Sequence, residues 1–178
     1  SAGILQAVQD QTLVIPWNSP EHLKAVFDQH GADIAAVIAE PLQRIIPAQA
    51  GFLQSLRDAC DQHESLLIFD EVVTGFRFAW GGAQSLYGVI PDLCTLGKTI
   101  GGGMPLAAVA GHKDVMSLFD KSVAGDQWLM QVGTLSGNPI AAVAGLKTLE
   151  ILKRPGQFER LRNLGDRIQS MLVNALNE

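Results

Sequence analysis

Residues 66–72 read LLIFDEV, a short apolar run that stops at an acidic pair. Four consecutive apolar residues with polar residues beyond them are typical of a strand buried in an α/β fold. Asp70, which directly follows the run, is therefore expected at the sheet edge where layered α/β folds bind ligands. The stretch predicts a core strand over residues 66–69 with a carboxylate at its carboxyl end.

Strand-like and helix-like runs alternate on both sides of this stretch. Apolar runs predict three more strands, over residues 33–39, 92–96 and 106–110. Helical spacing of apolar residues predicts helices over residues 19–30, 51–63, 140–152 and 157–176. Ser19 is expected as the N-cap of the first helix, and Asn138 and Pro139 as the start of the third. The alternation predicts a three-layer α/β fold, with a mostly parallel sheet flanked and covered by helices on both faces.

The composition of the chain excludes several classes of protein. The 178 residues are 47% hydrophobic and 17% charged, which suits one globular unit with a hydrophobic core. A net charge of −5 without a cluster of Lys or Arg argues against nucleic acid as a partner. Neither a membrane span nor a signal peptide is visible, so we expect no membrane association and a cytoplasmic location. Cys60 and Cys94 have no metal or redox spacing, and we expect two buried, reduced thiols and no metal site.

Lys98 lies in the string TLGKTIGGGMP at residues 95–105, after a predicted strand and before three glycines. A lysine amine that is desolvated beside a cationic ring has a lowered pKa and becomes a nucleophile. The glycines would let the backbone approach a flat ligand closely. The alternative is a surface lysine before a flexible loop. A nucleotide-binding P-loop is disfavoured, because no glycine stands five residues before Gly97.

Thr134, in QVGTLSGNP at residues 131–139, precedes a predicted helix. Hydroxyls and backbone amides at a helix start either hold a phosphate or form an ordinary capping turn. Asp70 likewise either caps its own turn or pairs with a ring nitrogen that becomes positively charged. Asp70, Lys98 and Thr134 together would supply a carboxylate for a pyridinium nitrogen, an amine for an aldehyde and a phosphate anchor. Pyridoxal 5'-phosphate (PLP) requires these three attachments.

Five ordered strings closely resemble the class III (fold type I) PLP-dependent aminotransferases. They are AEPLQ (39–43), GFLQSLRDAC (51–60), LLIFDEVVTGFR (66–77), PDLCTLGKTIGGGMPLAAVAG (91–111) and GTLSGNPIAAVAG (133–145). TGFR (74–77), GGAQ (81–84) and GTLSGNP (133–139) resemble most the branch of glutamate-1-semialdehyde 2,1-aminomutase and its relatives. The resemblance implies transfer of an amino group by PLP, either from a small-molecule donor to an acceptor or within one molecule.

The resemblance also implies roles for individual residues. Lys98 would form the Schiff base with the cofactor and shuttle a proton, Asp70 would pair with the pyridine nitrogen, and Val72 would pack on one face of the ring. Thr134 would hold the phosphate of the neighbouring subunit's cofactor, which makes a homodimer the expected active form. For Glu40, in the EP string, a positioning role and a structural role both remain open.

The chain departs from the family's pattern in two respects. Val73 stands where many relatives carry a glutamine that reaches the cofactor, and Arg44, Ile45 and Ile46 stand where the aminomutase often carries an asparagine. Members of this family are also more than twice as long. We therefore expect a central fragment, with residues 1–153 in the PLP-binding large domain and residues 154–178 leading towards a small domain. Such a fragment is expected to be inactive alone, and a catalytically silent interaction module of the same ancestry is the alternative.

Overall fold

The computed structural model describes residues 2–177. Its strands are β1 (Ala36–Ala39), β2 (Leu42–Gln43), β3 (Ile46–Pro47), β4 (Leu66–Asp70), β5 (Leu93–Leu96) and β6 (Ala108–Gly111). Its α-helices are α1 (Gln6–Gln9), α2 (Pro20–His30), α3 (Phe52–His63), α4 (Gly82–Tyr87), α5 (Lys113–Met116), α6 (Lys121–Ala124), α7 (Pro139–Leu152) and α8 (Gln157–Leu176). Single 3-10 turns span Gly31–Asp33, Lys98–Gly101, Ser117–Phe119 and Gly125–Gln127.

Four of the strands form one sheet in the order β1-β4-β5-β6, and β2 and β3 form a separate hairpin. The first three strands of the sheet are parallel, and β6 runs antiparallel to β5. The prediction of a mostly parallel sheet flanked by helices is confirmed. Because β1, β4 and β5 are parallel, their carboxyl ends meet at one edge of the sheet.

The hydrophobic core lies between one face of this sheet and the helices α2 and α3. Its buried members are Leu23, Phe27, Phe52, Leu53, Leu56, Cys60, Leu67, Phe69, Val89 and Cys94. Leu67 and Phe69 are fully buried and alternate with half-buried neighbours along β4, as the two-residue period of a strand requires. Each large apolar side chain in this core contributes roughly 1.5–3 kcal/mol of burial free energy.

The other face of the sheet is only partly covered by residues 2–177. Ile38 in β1 is 66% exposed and Val109 in β6 is 49% exposed. The prediction that every strand is covered on both faces is therefore wrong for β1 and β6. Apolar composition alone did not reveal this exposure, because the composition of a strand does not show which segment of the chain packs on each of its faces.

Several element boundaries differ from the predictions for local reasons. The first strand begins at Ala36 because Asp33 belongs to a 3-10 turn, and the last runs over Ala108–Gly111 instead of residues 106–110. Ser19 precedes α2 as predicted, but its hydroxyl caps no backbone N–H. It donates instead to Glu21 Oε2 at 2.9 Å. The predicted helices over residues 51–63, 140–152 and 157–176 agree with α3, α7 and α8 to within one residue.

A half-buried ion pair ties α3 to the amino ends of β4 and β5. Asp92 Oδ2 accepts from Arg57 Nη1 at 2.8 Å and from the Leu67 N–H at 2.6 Å. Partial burial of the Asp92 carboxyl group acts to raise its pKa. The hydrogen bonds from Leu67 and Arg57 outweigh that effect and hold the pKa below its usual range.

Replacing Asp92 by alanine is expected to lower the free energy of unfolding by about 2–4 kcal/mol, because it removes the less exposed of the two carboxylates that pair with Arg57 and leaves the Leu67 N–H without its acceptor. The pKa of Asp92 is lower in the folded than in the unfolded chain. Its stabilisation is therefore complete above the unfolded-state pKa of about 3.9 and is lost as the pH falls through the folded-state value. Urea unfolding of the wild type and D92A between pH 7 and pH 3 measures both effects.

Asp61 provides the matched control for this prediction. It pairs with the same Arg57 at 2.7 Å, but its side chain is 64% exposed, against 20% for Asp92. Solvent screens such a pair, so D61A should cost less than about 1 kcal/mol. Equal losses for D61A and D92A would show that burial does not govern the strength of these contacts.

Both cysteines are free thiols and buried, as predicted. Burial raises the pKa of the Cys60 thiol to about 11. At pH 8 only about one Cys60 thiol in a thousand is then ionised, and the thiolate is the nucleophile. We expect iodoacetamide to leave Cys60 unmodified in the folded chain and to alkylate it rapidly in urea, as followed by peptide mass spectrometry. Rapid alkylation without urea would contradict the burial seen here.

Candidate functional site

The predicted site residues Glu40, Asp70 and Lys98 follow three neighbouring parallel strands at one edge of the sheet. Asp70 ends β4 and lies opposite Thr95 of β5, and Lys98 comes three residues after Thr95. Glu40 directly follows β1, whose last residue Ala39 lies opposite Phe69. Side chains alternate along a strand, so Asp70 and Thr95 lie on the sheet face opposite to the α2–α3 core. The structure therefore brings Asp70 and Lys98 to the same edge, next to the partly uncovered face.

Asp70 uses one of its two carboxylate oxygens in the local structure. Oδ1 accepts hydrogen bonds from the Val72 N–H and from Thr95 Oγ1, both at 3.0 Å. Oδ2 accepts no hydrogen bond from residues 2–177. The capping role and the ligand role predicted as alternatives for Asp70 are thus compatible, because Oδ1 caps the turn and Oδ2 remains available as an acceptor.

Lys98 has an unusual backbone conformation. It opens the 3-10 turn at φ 46°, in the left-handed region that residues with a Cβ seldom occupy. Strain of this kind concentrates at functional sites. The side chain is exposed, and its amine makes no hydrogen bond or ion pair with residues 2–177. Among the described residues Lys98 is thus a surface lysine, as in the alternative reading, and desolvation of its amine beside a bound ring stays a prediction.

Val72 lies against the backbone that leads into Lys98. A Cβ built on Gly97 would stand 3.3 Å from Val72 Cγ1. Val72 follows β4 and Gly97 follows β5, so this contact joins the segments after the two strands. It brings the predicted ring-packing residue next to the predicted Schiff-base lysine.

Gly102, the second of the three glycines after Lys98, serves the packing of α7 in this structure. Gly102 adopts φ +59°, and a Cβ there would lie 2.8 Å from the carbonyl oxygen of Ala144 in α7. A Cβ on Gly145 of α7 would likewise lie 2.5 Å from the carbonyl oxygen of Ile100. At Gly102 the close approach that the sequence suggested is therefore made to a helix, which positions the Lys98 turn.

Thr134 lies apart from this cluster. It begins an exposed turn before α7, and no contact among residues 2–177 joins it to Asp70 or Lys98. Asn138 is the N-cap of α7, with Oδ1 accepting from the Ala141 N–H at 2.9 Å. The predicted start of this helix is confirmed, and the capping of its first turn comes from Asn138 and not from Thr134.

Glu40 and Arg77 make few contacts. Glu40 is half-buried, and its Oε2 accepts from the Arg44 N–H at 3.4 Å, so it touches the β2–β3 hairpin. Arg44, in that hairpin, also has a left-handed conformation with φ 59°. Arg77 is exposed and makes no ion pair with residues 2–177.

Sequence reasoning missed the most deeply buried charged residue of this region. Glu71 is 1% exposed, and its carboxylate accepts from Thr74, Ala83 and Gln84. The acidic pair in LLIFDEV and the later GGAQ string were visible in the sequence. Nothing in their spacing, however, indicated that a side chain at position 71 contacts a helix start 12 residues later.

A comparison with protein-family models identifies the family of this chain. The model of the class-III aminotransferases matches residues 3–178. The chain belongs to the class-III aminotransferase family. The cofactor of this family is PLP.

Class-III aminotransferases with related sequences include two aminomutases. Glutamate-1-semialdehyde 2,1-aminomutase 2 of Brevibacillus brevis is 46% identical over 98% of this chain. Glutamate-1-semialdehyde 2,1-aminomutase of Francisella tularensis subsp. holarctica is 51% identical over the whole chain. The chain spans 40% of the length of each of these relatives.

Solved structures of the family share the fold. An omega-transaminase from Sphaerobacter thermophilus superposes with a TM-score of 0.92 at 39% identity, over 99% of this chain and 40% of that one. A transaminase with PLP bound superposes with a TM-score of 0.91 at 34% identity, over 99% of this chain and 42% of that one. The described residues therefore form part of a larger known class-III aminotransferase architecture.

Proposed function

We propose that this class-III aminotransferase chain contributes the lysine and the carboxylate of a PLP site that transfers amino groups. The transfer takes place either between two small molecules or within one, as the names of the aminomutase relatives indicate. The observation that carries the proposal is the joint placement of Asp70 and Lys98 after neighbouring parallel strands, each with a polar atom that has no partner among residues 2–177.

The chemistry of the available groups fits PLP. Asp70 Oδ2 is a free acceptor on a carboxylate whose other oxygen is held at 3.0 Å by Thr95, which suits a protonated ring nitrogen. The Lys98 amine is free to bond covalently to an aldehyde carbon. Val72, packed against Gly97, presents an apolar surface beside that lysine.

Each of these residues would have a separate role in the reaction. When bound, PLP supplies an electron sink for bond breaking at the carbon that bears the amino group. Asp70 would keep the ring nitrogen protonated through its negative charge and would orient the ring. Lys98 would hold the cofactor covalently, and its amine, when free, would move a proton between the substrate carbon and another atom. Glu40, which follows β1 at the same edge, would support the site from the hairpin side.

Thr134 belongs to the proposal through a second subunit. We infer a homodimer in which Thr134 contacts the phosphate of the partner's cofactor. The exposed turn that carries it has exposed apolar side chains around it, with Met130 65%, Val132 69% and Leu135 64% exposed, and such a patch is typical of a protein interface. In the same proposal residues 1–153 are part of the PLP-binding large domain, and residues 154–178 lead to a small domain.

The alternative is a catalytically silent module, and the exposed apolar surface favours it for the isolated chain. Leu164, Ile168 and Leu172 of α8 are 51%, 50% and 58% exposed, and Ile140 of α7 is 69% exposed. Among the helices of residues 2–177, none combines the length and apolar character needed to cross a bilayer. We expect these 178 residues alone to associate and to lack transfer activity. The cytoplasmic location stays a prediction.

The test of the proposal is covalent trapping of PLP. The purified chain is mixed with PLP, its visible absorbance is recorded before and after borohydride reduction, and the labelled peptide is identified by mass. A reducible species that places the label on Lys98 supports the proposal. A label scattered over surface lysines, or none, favours the silent module.

A further inference from the structure

Glu71, whose carboxylate is buried, stands in the sequence between the two residues that the proposed function assigns to the cofactor, Asp70 and Val72. Its Oε2 accepts from Thr74 Oγ1 at 3.0 Å and from the Ala83 N–H at 2.6 Å. Its Oε1 accepts from the Gln84 N–H at 3.3 Å and from Gln84 Nε2 at 2.9 Å. All four partners donate, and the two oxygens of a carboxylate can accept all four hydrogen bonds.

This carboxylate joins two segments that are distant in sequence. Thr74 belongs to the turn after β4, which is closed by the bond from the Gly75 N–H to the Glu71 carbonyl oxygen at 2.8 Å. Ala83 and Gln84 form the first turn of α4, whose free N–H groups and dipole favour an anion. At position 82, where the backbone adopts φ +63°, only glycine fits beside the carboxylate, since a Cβ on Gly82 would overlap Glu71 Oε2.

The same residue sets the backbone on which the proposed site rests. The Glu71 N–H donates to the Thr95 carbonyl oxygen at 2.9 Å, which extends the pairing of β4 with β5 beyond Asp70. One residue later the Val72 N–H donates to Asp70 Oδ1 at 3.0 Å, and the Val72 side chain packs against Gly97. A movement of Glu71 would therefore displace the carboxylate cap, the apolar wall and the segment that leads into Lys98.

A buried charge contributes little net stability in comparison with an apolar side chain of the same size. Its value lies in the single geometry that four directed hydrogen bonds impose. We propose that Glu71 is a positioning residue, which orients Asp70 and Val72 against the Lys98 turn by anchoring the segment after β4 to the first turn of α4. This role deepens the proposed function and depends on that proposal for its catalytic meaning.

The test compares E71Q and G82A with D92N. In E71Q the NH2 group of the new amide faces hydrogen-bond donors, from which it cannot accept. In G82A the carboxylate is retained, but the added methyl group displaces it. Asp92 is the matched control, because it is another carboxylate that accepts from a backbone N–H, at the opposite end of β4 and β5. Hydrogen exchange is measured for each variant of the full chain, together with the PLP concentration that half-saturates borohydride labelling of Lys98.

For E71Q and G82A we expect exchange of the Val72 amide and of residues 98–102 to become roughly tenfold faster, with half-saturation at roughly tenfold more PLP. D92N should speed exchange at Leu67 and change half-saturation less than about twofold. Faster exchange confined to α4 in E71Q and G82A would overturn the positioning role. A wild-type chain that takes no label, while E71Q still speeds exchange at Val72, would contradict the proposed function and support the positioning of the turn.

Discussion

Replacing Lys98 by alanine is expected to abolish the borohydride-stable PLP label and to lower amino transfer by at least about 10³-fold in a protein that carries out the reaction. The physical reason is that the variant loses both the covalent attachment and the amine that carries the proton. Label stoichiometry by intact mass and the position of the label by peptide mass are the measurements. Residual label at other lysines should be weak and independent of position 98.

Two variants control for non-specific effects on the lysine and on folding. Lys113, which opens α5, is another exposed lysine, and K113A should label like the wild type. K98G also removes the amine, but glycine tolerates the φ of 46° at this position better than alanine does. A chain that loses its label in K98A and keeps it in K98G would contradict the assignment of the amine.

The second large effect is expected for Asp70→Asn, which should weaken PLP binding by about 10–100-fold. The asparagine keeps the size of the side chain, and its carbonyl oxygen replaces Oδ1 as acceptor for Thr95 and Val72, both at 3.0 Å. What is lost is the negative charge opposite the ring nitrogen, and a hydrogen bond to a charged group is worth roughly 1.5–3 kcal/mol. The PLP concentration at half-maximal labelling of Lys98 measures the change.

The variant T95V distinguishes the effect of the Asp70 charge on PLP binding from the effect of the hydrogen bond that holds the Asp70 carboxylate. It removes the hydroxyl that donates to Oδ1 and leaves the carboxylate in place, so binding should weaken less than in D70N. If D70N binds PLP as tightly as the wild type, Asp70 serves only as the cap of the turn after β4.

The elements that the sequence predicted well are those whose signal is local. The run LLIFD recurs as β4, and the apolar spacing of residues 157–176 recurs as α8. Periodicity within one element follows from backbone geometry, and it therefore survives whatever the element packs against. The boundaries at residues 33 and 106 were less accurate, because a turn and an antiparallel partner strand decided them.

In the candidate site, too, local features were predicted from the sequence and long-range contacts were not. Asp70 and Lys98 were identified from residue type and from their position after apolar runs, and they stand after β4 and β5 as that reasoning required. The sequence left open whether Lys98 is exposed, and the deep burial of Glu71 was not predicted. Both depend on which distant segments cover a side chain, and a residue's immediate neighbours in sequence carry no such information.

The sequence by itself determined the α/β class and the family, and it predicted which groups could hold PLP. Only the tertiary structure decided that Asp70 keeps one oxygen free, that β6 is antiparallel, and that Gly102 fits against α7. The physical reason is that residue type and periodicity act within a few residues, whereas hydrogen bonds such as that from the Ala83 N–H to Glu71 join residues whose proximity only the folded chain creates.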